Sequence, residues 1–519
     1  MAGGIRPYPS GVDGGFVVDL FKSSLADPHD PKHCATGLIG CLLVLFHPSV
    51  GMHNYGALRT EHPDFLDACM RFITVPRSDE ENEQLEERMA VCSCDLSHKD
   101  MSKMHAMARD ATTGCSYSRF GWMVANQIHN ILQPVRDDDN LHEVEKNRQR
   151  AERLGTSVPW PRAPRDILPY GTEASIAALA VWIEFSIADG IWLGLFATII
   201  ELFKKEVVIP ILSSPTLPGK FVGIAEIPFF MLQGDLPSNG GPDELARQIK
   251  RGAVLYKMLI NFFDKDECRI LFERANAQFA PDEPGRTWLS MCRDALAMLP
   301  AFAKAVPPHS AAALDIEHSI QDYTLAGVGL VTYLDLPADV ATCGPTIAAA
   351  AAQHREMERK SPAYPAYVAF ARLYGSARCW APGCRATCAG EGRPFAACAG
   401  CARVTYCSKA CQAAAWKHPD APHRALCKKA KFIADAAGLG PKPEAEGMSA
   451  FLVTCVIRRV DRALLEEFSE LFEKLQKAVS YAPFVANDAS LPASSQMGLE
   501  QSTHTDGMGM DVMADSLGP

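Results

Sequence analysis

Between Cys379 and Cys427 the chain sets seven thiols and one imidazole in four short pairs. They are Cys379 and Cys384 in CWAPGC, Cys398 and Cys401 in CAGC, Cys407 and Cys411 in CSKAC, and His423 and Cys427 in HRALC. A structural zinc site takes four Cys or His ligands, usually supplied as two short pairs, so eight ligands make two sites. A short loop between paired cysteines lets both sulfurs converge on one ion. The third and fourth pairs are spaced four residues apart, which lets both ligands share one helix face. Asp420 and Pro422 read as the start of the helix carrying His423 and Cys427. His418 precedes Pro419 and so ends the helix before it, which favours His423 over His418 as the ligand. Cys388 is the one cysteine of the cluster left over. It is an alternative to Cys379 beside Cys384, but the Cys379–Cys384 pair is favoured because a turn-forming Ala-Pro-Gly lies between its ligands. Leaving so many paired thiols unliganded would leave them reactive.

Other chemistry finds less support. Cys92 and Cys94, with His98 and His105 nearby, lack paired spacing and are expected to be buried or incidental residues. The methionine-rich GMGMDVMAD near the end reads as disordered rather than copper-binding. There is no phosphate loop, dinucleotide fingerprint, nucleophile elbow or HExxH. No catalytic residue and no residue for an organic cofactor is therefore assigned.

The chain has 519 residues, a formal net charge of −10 and 18 cysteines. The charge opposes nucleic acid or anionic membrane as the main partner of the whole chain. From Cys379 to Cys427 the balance reverses. Arg385, Arg393, Arg403, Lys409, Lys417 and Arg424 stand against Glu391 and Asp420, which reads as a solvated basic face. No base-reading pattern accompanies it. A disulfide-built secreted fold would be small and evenly cysteine-dense, whereas these thiols cluster locally in a long chain. The N-terminal MAGGIRPYPSGVDGG lacks the pattern of a secretory signal, and Ala2 takes the place that myristoylation needs for glycine. The longest apolar region, Ala174–Phe203, is interrupted by Glu184, Asp189 and Gly190. Charges at a bilayer centre cost about 2.5–3.5 kcal/mol each, so two buried helices meeting near Asp189–Gly190 are expected. These readings predict an intracellular protein of the cytoplasm or nucleus.

The elements that must carry this cluster read as mainly α. Cys34–Phe46 is an apolar helix, and Pro63–Val75 places Phe65, Leu66, Cys69, Met70 and Ile73 near helical spacing. An acidic helix follows, and Arg136–Leu154 reads as a charged, solvated one. The segment Gly155–Thr172 holds four prolines and reads as a connector. The expected organisation is an N-terminal helical lobe (1–154) and a second helical lobe (155–375), which the connector does not necessarily separate. A zinc finger (376–431), a C-terminal helical segment (432–483) and a disordered tail (484–519) follow. In the C-terminal segment Leu464, Phe468, Leu471, Phe472 and Leu475 mark one helix face, expected to dock on the core.

The cysteine region resembles the MYND zinc finger. The paired cysteines, Tyr406–Cys407, CSKAC, Cys411–Gln412, Trp416 and the closing His and Cys carry the resemblance, with YCSKACQ its specific part. KHPDAPHRALC is longer than the family's usual spacing before the final histidine. The resemblance implies a cross-braced fold holding two Zn2+ ions. Cys379, Cys384, Cys407 and Cys411 would serve one ion, and Cys398, Cys401, His423 and Cys427 the other. It also implies that Gln412 and Trp416 hold a partner peptide, proline-rich in type. The body is similar in style to large helical fungal proteins with such a finger towards the C-terminus. The expected function is that of an adaptor or regulatory protein acting by protein–protein interaction. Two alternatives stand beside it. A SET/MYND protein-lysine methyltransferase is disfavoured, because neither the glycine-rich cofactor segment nor Asn-His-x-Cys is found. A DNA-binding transcriptional regulator is the other.

Overall fold

The structure is a computed structural model. It describes residues 11–47, 51–111, 115–137, 150–151, 153–155, 158–185, 191–203, 205–214, 217–234, 241–261, 264–278, 287–374, 378–387, 391, 393, 395–439 and 447–480. Among them are 21 α-helices and one two-stranded antiparallel ribbon, so the fold is mainly α, as the apolar spacing predicts.

The first helices are α1 (Gly14–Ser24), α2 (Ala35–Leu45), α3 (Gly51–Glu61), α4 (Pro63–Thr74), α5 (Asp79–Ala90), α6 (Lys99–Ala111) and α7 (Tyr117–Asp137). Helix α4 buries the expected Phe65, Leu66, Cys69, Met70 and Ile73. Helix α5 starts at a reciprocal capping box, in which the Ser78 hydroxyl accepts from the Glu81 N–H and the Glu81 carboxylate accepts from the Ser78 N–H. Two of the first turn's free donors are thereby satisfied. The apolar region divides into helices Thr172–Phe185 and Ile191–Phe203, the second buried along almost its whole length. Trp182 stacks on Trp192 across the pair, their centroids 5.5 Å apart. Among the described residues no single helix is long and apolar enough to cross a membrane. The segments Glu206–Leu212 and Leu217–Gln233 meet that test only together, bent by 95°.

The proline-rich connector packs against the N-terminal helices. Trp160 is fully buried, its N–H donates to the Arg59 carbonyl at 2.8 Å, and its indole N–H donates to Asp67 at 3.1 Å. One apolar cluster extends from Val12 to Ala351, and a second from Ala363 to Val479. The second contains the cysteine region. Most of the charged stretch Arg136–Leu154, the Asp189–Gly190 junction, most of the GLGPKPEAEG linker and the tail from 484 lie outside the described residues.

The second cluster joins four helices: Ala363–Tyr374, His423–Ala437, Gly447–Ile457 and Arg462–Ala478. Phe370 stacks on Phe468 at 4.6 Å, and Trp380, beside the first cysteine, lies 6.1 Å from Phe472. On the last helix Leu465, Phe468, Phe472 and Leu475 are buried, while Leu464 and Leu471 pack at the margin. The finger therefore rests on a helical core supplied by chain on both sides of it.

Candidate metal centre

Two short β-strands, β1 (Ala396–Ala397) and β2 (Thr405–Tyr406), bring the second and third cysteine pairs side by side. Cys398 directly follows β1 and Cys407 directly follows β2. The Cys398 N–H donates to the Val404 carbonyl at 2.8 Å, closing the turn that carries Cys401. The first pair is fastened to the same ribbon, because the Trp380 N–H donates to the Thr405 carbonyl at 2.9 Å. Between Cys379 and Cys384, the Cys384 N–H reaches the Ala381 carbonyl at 3.0 Å, with Gly383 at φ 75°. Pro382 and Gly383 at the corners are the residues that a type II turn asks for.

The helix Lys409–Trp416 begins after Cys407. Its N-cap is Ser408, whose hydroxyl accepts from the Cys411 N–H at 3.1 Å. Cys407 is therefore not on the helix with Cys411, as the four-residue spacing suggests. The cap turn brings their sulfurs to 3.4 Å instead. His423 and Cys427 do share a helix, His423–Ala437, with His423 at its first position. Pro422 is its N-cap and makes no side-chain capping bond.

These elements gather the ligand atoms into two groups, each with all members within 4.8 Å of one another. Cys379, Cys384, Cys407 and Cys411 form one, and Cys398, Cys401, His423 and Cys427 the other. Pairs one and three meet, and pairs two and four meet, which is the cross-brace. Cys384 and Cys407 sulfurs are 3.7 Å apart, as are those of Cys398 and Cys427, and the Cys401 sulfur is 3.5 Å from His423 Nε2. A tetrahedral zinc ion with bonds of ~2.3 Å to sulfur and ~2.0–2.1 Å to nitrogen has edges of roughly 3.8 Å (S–S) and 3.6 Å (S–N). The donor sets, four thiols and three thiols with an imidazole, fit that ion in size and softness.

The second group is wholly buried, and the first has only Cys379 buried. Burial pushes the Cys379, Cys401 and Cys427 thiols up, whereas the Ser408 hydroxyl bonded to Cys411 pulls that thiol down. Burial also lowers His423 to about 4, which keeps its imidazole neutral and able to ligate. A bound cation offsets the cost of placing thiolates in so enclosed a space. Gly400 leaves the room the second group needs, since a Cβ there would meet the Cys427 sulfur at 2.7 Å.

His418 lies outside both groups, where its Nδ1 accepts from the Ala421 N–H at 3.2 Å. Cys388 lies outside the described residues. Gln412 and Trp416 are both half-buried on the finger helix. The Trp416 ring meets His423 edge-on, their centroids 5.6 Å apart at 81°. Of the basic residues, Arg393 donates to the Cys407 carbonyl at 2.7 Å. Arg403 is buried, donating to the Leu439 carbonyl at 3.2 Å and lying over Phe370.

Among the described residues a third group of potential ligands comes together outside the finger: Cys34, Cys92, Cys94 and His105. Sequence spacing singled out Cys92, Cys94 and His105 only to set them aside, and it missed Cys34 altogether. His98 is not part of the group and stacks on Phe16 at 4.6 Å.

Two braced Cys/His groups on a short ribbon and two helices define a cross-braced zinc finger. Residues 384–427 match the family model of the MYND finger, a zinc-binding protein-interaction module. The match begins at Cys384 and so leaves out Cys379, which the structure adds to the first group. No curated protein and no solved structure matches the chain.

Proposed function

We propose that the chain is an adaptor or regulatory protein whose MYND finger, loaded with two zinc ions, captures partner peptides, proline-rich ones in particular. The observation that carries this reading is the placement of Gln412 and Trp416. They lie four residues apart on a helix tied at one end to the first cysteine group through Cys411. At the other end the helix is braced by the edge-on contact of Trp416 with His423. Side chains at i and i+4 share a helix face. A half-buried indole beside an amide on a rigid helix suits an extended, proline-rich segment, which loses little entropy on docking.

Cys379, rather than Cys388, completes the first set of ligands in this proposal. The body acts as a scaffold and carries no catalysis. Support for that comes from the absence of catalytic motifs, and from the two two-residue strands that are the only named strands among the described residues. A SET-type methyltransferase needs far more sheet. The burial of Arg403, which takes one charge out of the basic face, supports protein rather than nucleic acid as the partner. The cytoplasm or nucleus is the proposed location.

The test is fluorescence polarisation of synthetic proline-rich peptides against the full chain, with zinc counted in every variant. Trp416→Ala should weaken capture by roughly 30-fold or more, the scale of an interface hot spot of about 2 kcal/mol. Gln412→Ala, which removes no member of either ligand group, should weaken it less. Capture that survives both changes in zinc-loaded protein would refute the groove.

A further inference from the structure

The third ligand group lies where the start of α2, the loop 91–98 and helix α6 meet. Cys34 is the N-cap of α2, and its sulfur accepts from the Gly37 N–H at 3.5 Å. Cys92 and Cys94 come from the loop between α5 and α6, and His105 from the middle of α6. The Cys34 and Cys94 sulfurs are 3.6 Å apart, and the Cys34 sulfur is 3.7 Å from His105 Nε2. These spacings match the 3.7 Å and 3.5 Å found in the finger's Cys3His group. They also match the edges of a zinc tetrahedron, roughly 3.8 and 3.6 Å. We propose that Cys34, Cys92, Cys94 and His105 form a third, structural zinc site, separate from the finger.

Three further observations support the assignment. First, the site is cleared for its ligands in the way that Gly400 clears the finger. A Cβ on Gly37 would meet the Cys94 sulfur at 3.0 Å and His105 Nε2 at 3.2 Å. On the next turn, a Cβ on Gly40 would fall 2.4 Å from the Met104 carbonyl oxygen, so α2 and α6 approach backbone to backbone just beside the group. Secondly, His105 is 2% exposed and turns Nε2 towards the sulfurs, as the buried His423 does in the finger. Thirdly, the loop has little apolar anchorage of its own. Val91 is 68% exposed, Leu96 is 42% exposed, and Cys92 is exposed as well. What ties it down is the Ser93 hydroxyl on the Lys32 carbonyl at 3.2 Å, the stack of His98 on Phe16 at its end, and the sulfurs of Cys92 and Cys94.

Three thiolates and one imidazole make a full tetrahedral set with no open position, the mark of a structural rather than a catalytic ion. A thiolate at Cys34 is helped by its place at a helix N-terminus, where free N–H groups and the helix dipole favour negative charge. The ion would fasten α2 to α6 and the loop across 60 and 71 residues of chain.

The test uses the full chain purified with zinc. Cys92 is exposed, so Cys92→Ser leaves the apolar core untouched. That variant should hold one zinc fewer than its parent by native mass spectrometry, whatever number the finger holds. Equal counts would overturn the site. The parent offers a check without mutation. Cys92 should resist iodoacetamide in the zinc-loaded chain and become labelled once a chelator is added. Immediate labelling in the loaded chain would refute the proposal. So would protection that yields only to reductant, which would mark a disulfide.

Discussion

Gly400→Ala tests whether the sulfurs of the finger are held by an ion or merely packed together. Gly400 is not among the glycines with positive φ, so alanine meets no backbone penalty and the effect must come from contact. The new Cβ would lie 2.7 Å from the Cys427 sulfur and 3.7 Å from that of Cys398. Optimal separation between carbon atoms is ~3.5–4.0 Å, so the overlap with Cys427 is about 1 Å. An unliganded thiol could turn aside and relieve it cheaply. A sulfur fixed by zinc can move only by distorting the tetrahedron. Overpacking of this kind costs typically ~1–3 kcal/mol, or roughly 5- to 150-fold in the affinity of the second group for its ion. The first group, which Gly400 does not touch, should keep its ion. The assay is a chelator titration of the full chain, with zinc followed ion by ion in native mass spectra. Gly383→Ala is the comparison. It has φ 75° and open space around it, so it adds backbone strain of ~1–2 kcal/mol without a clash and falls on the other group. If Gly400→Ala retains every ion within twofold of the parent, Cys427 is not held as a ligand and the reasoning fails.

His423→Ala should cost the second group its zinc, whereas His418→Ala should remove one local hydrogen bond, about 1 kcal/mol of stability, and no metal; zinc counts of the two variants decide between the histidines. The Cys401 and Cys427 thiols, pushed up by burial, hold their protons until zinc displaces them. Zinc affinity should therefore fall more than tenfold between pH 8 and pH 6 in a competition assay, and an affinity independent of pH would contradict this. In metal-free protein, His423 binds fewer protons folded, where it sits at about 4, than unfolded, at its ordinary 6.5. Its contribution to the fold is thus present above 6.5 and lost as pH falls towards 4, which acid titration of the metal-free chain by circular dichroism would register. Phe370→Ala, which opens the core shared with the finger, should destabilise that unit by ~3–5 kcal/mol and lower the temperature at which the finger releases zinc. An unchanged release temperature would show the finger to be independent of the helices around it.

Sequence alone determined what short-range geometry can carry. The finger's pairs are separated by turns and single helical turns, so the local chain already points each pair inward. The Ala-Pro-Gly turn at 381–383 and the helix face of His423 and Cys427 were legible for that reason. The apolar faces of α4 and of the helix Arg462–Ala478 were legible because a 3.6-residue period shows in the order of side chains. The start of the finger helix was misread at Cys407, because spacing does not reveal that Ser408 caps the chain there. Only the tertiary structure decided that the finger stands on Phe370, Phe468 and Phe472, since no local pattern says which helices meet. It alone buried Arg403, a charge that composition assigns to a solvated face. And it alone joined Cys34 to Cys94 and His105, which stand 60 and 71 residues further along the chain. Ligands so distant in sequence become neighbours only because Gly37 and Gly40 let α2 settle against α6, closer than any side chain beyond hydrogen would allow.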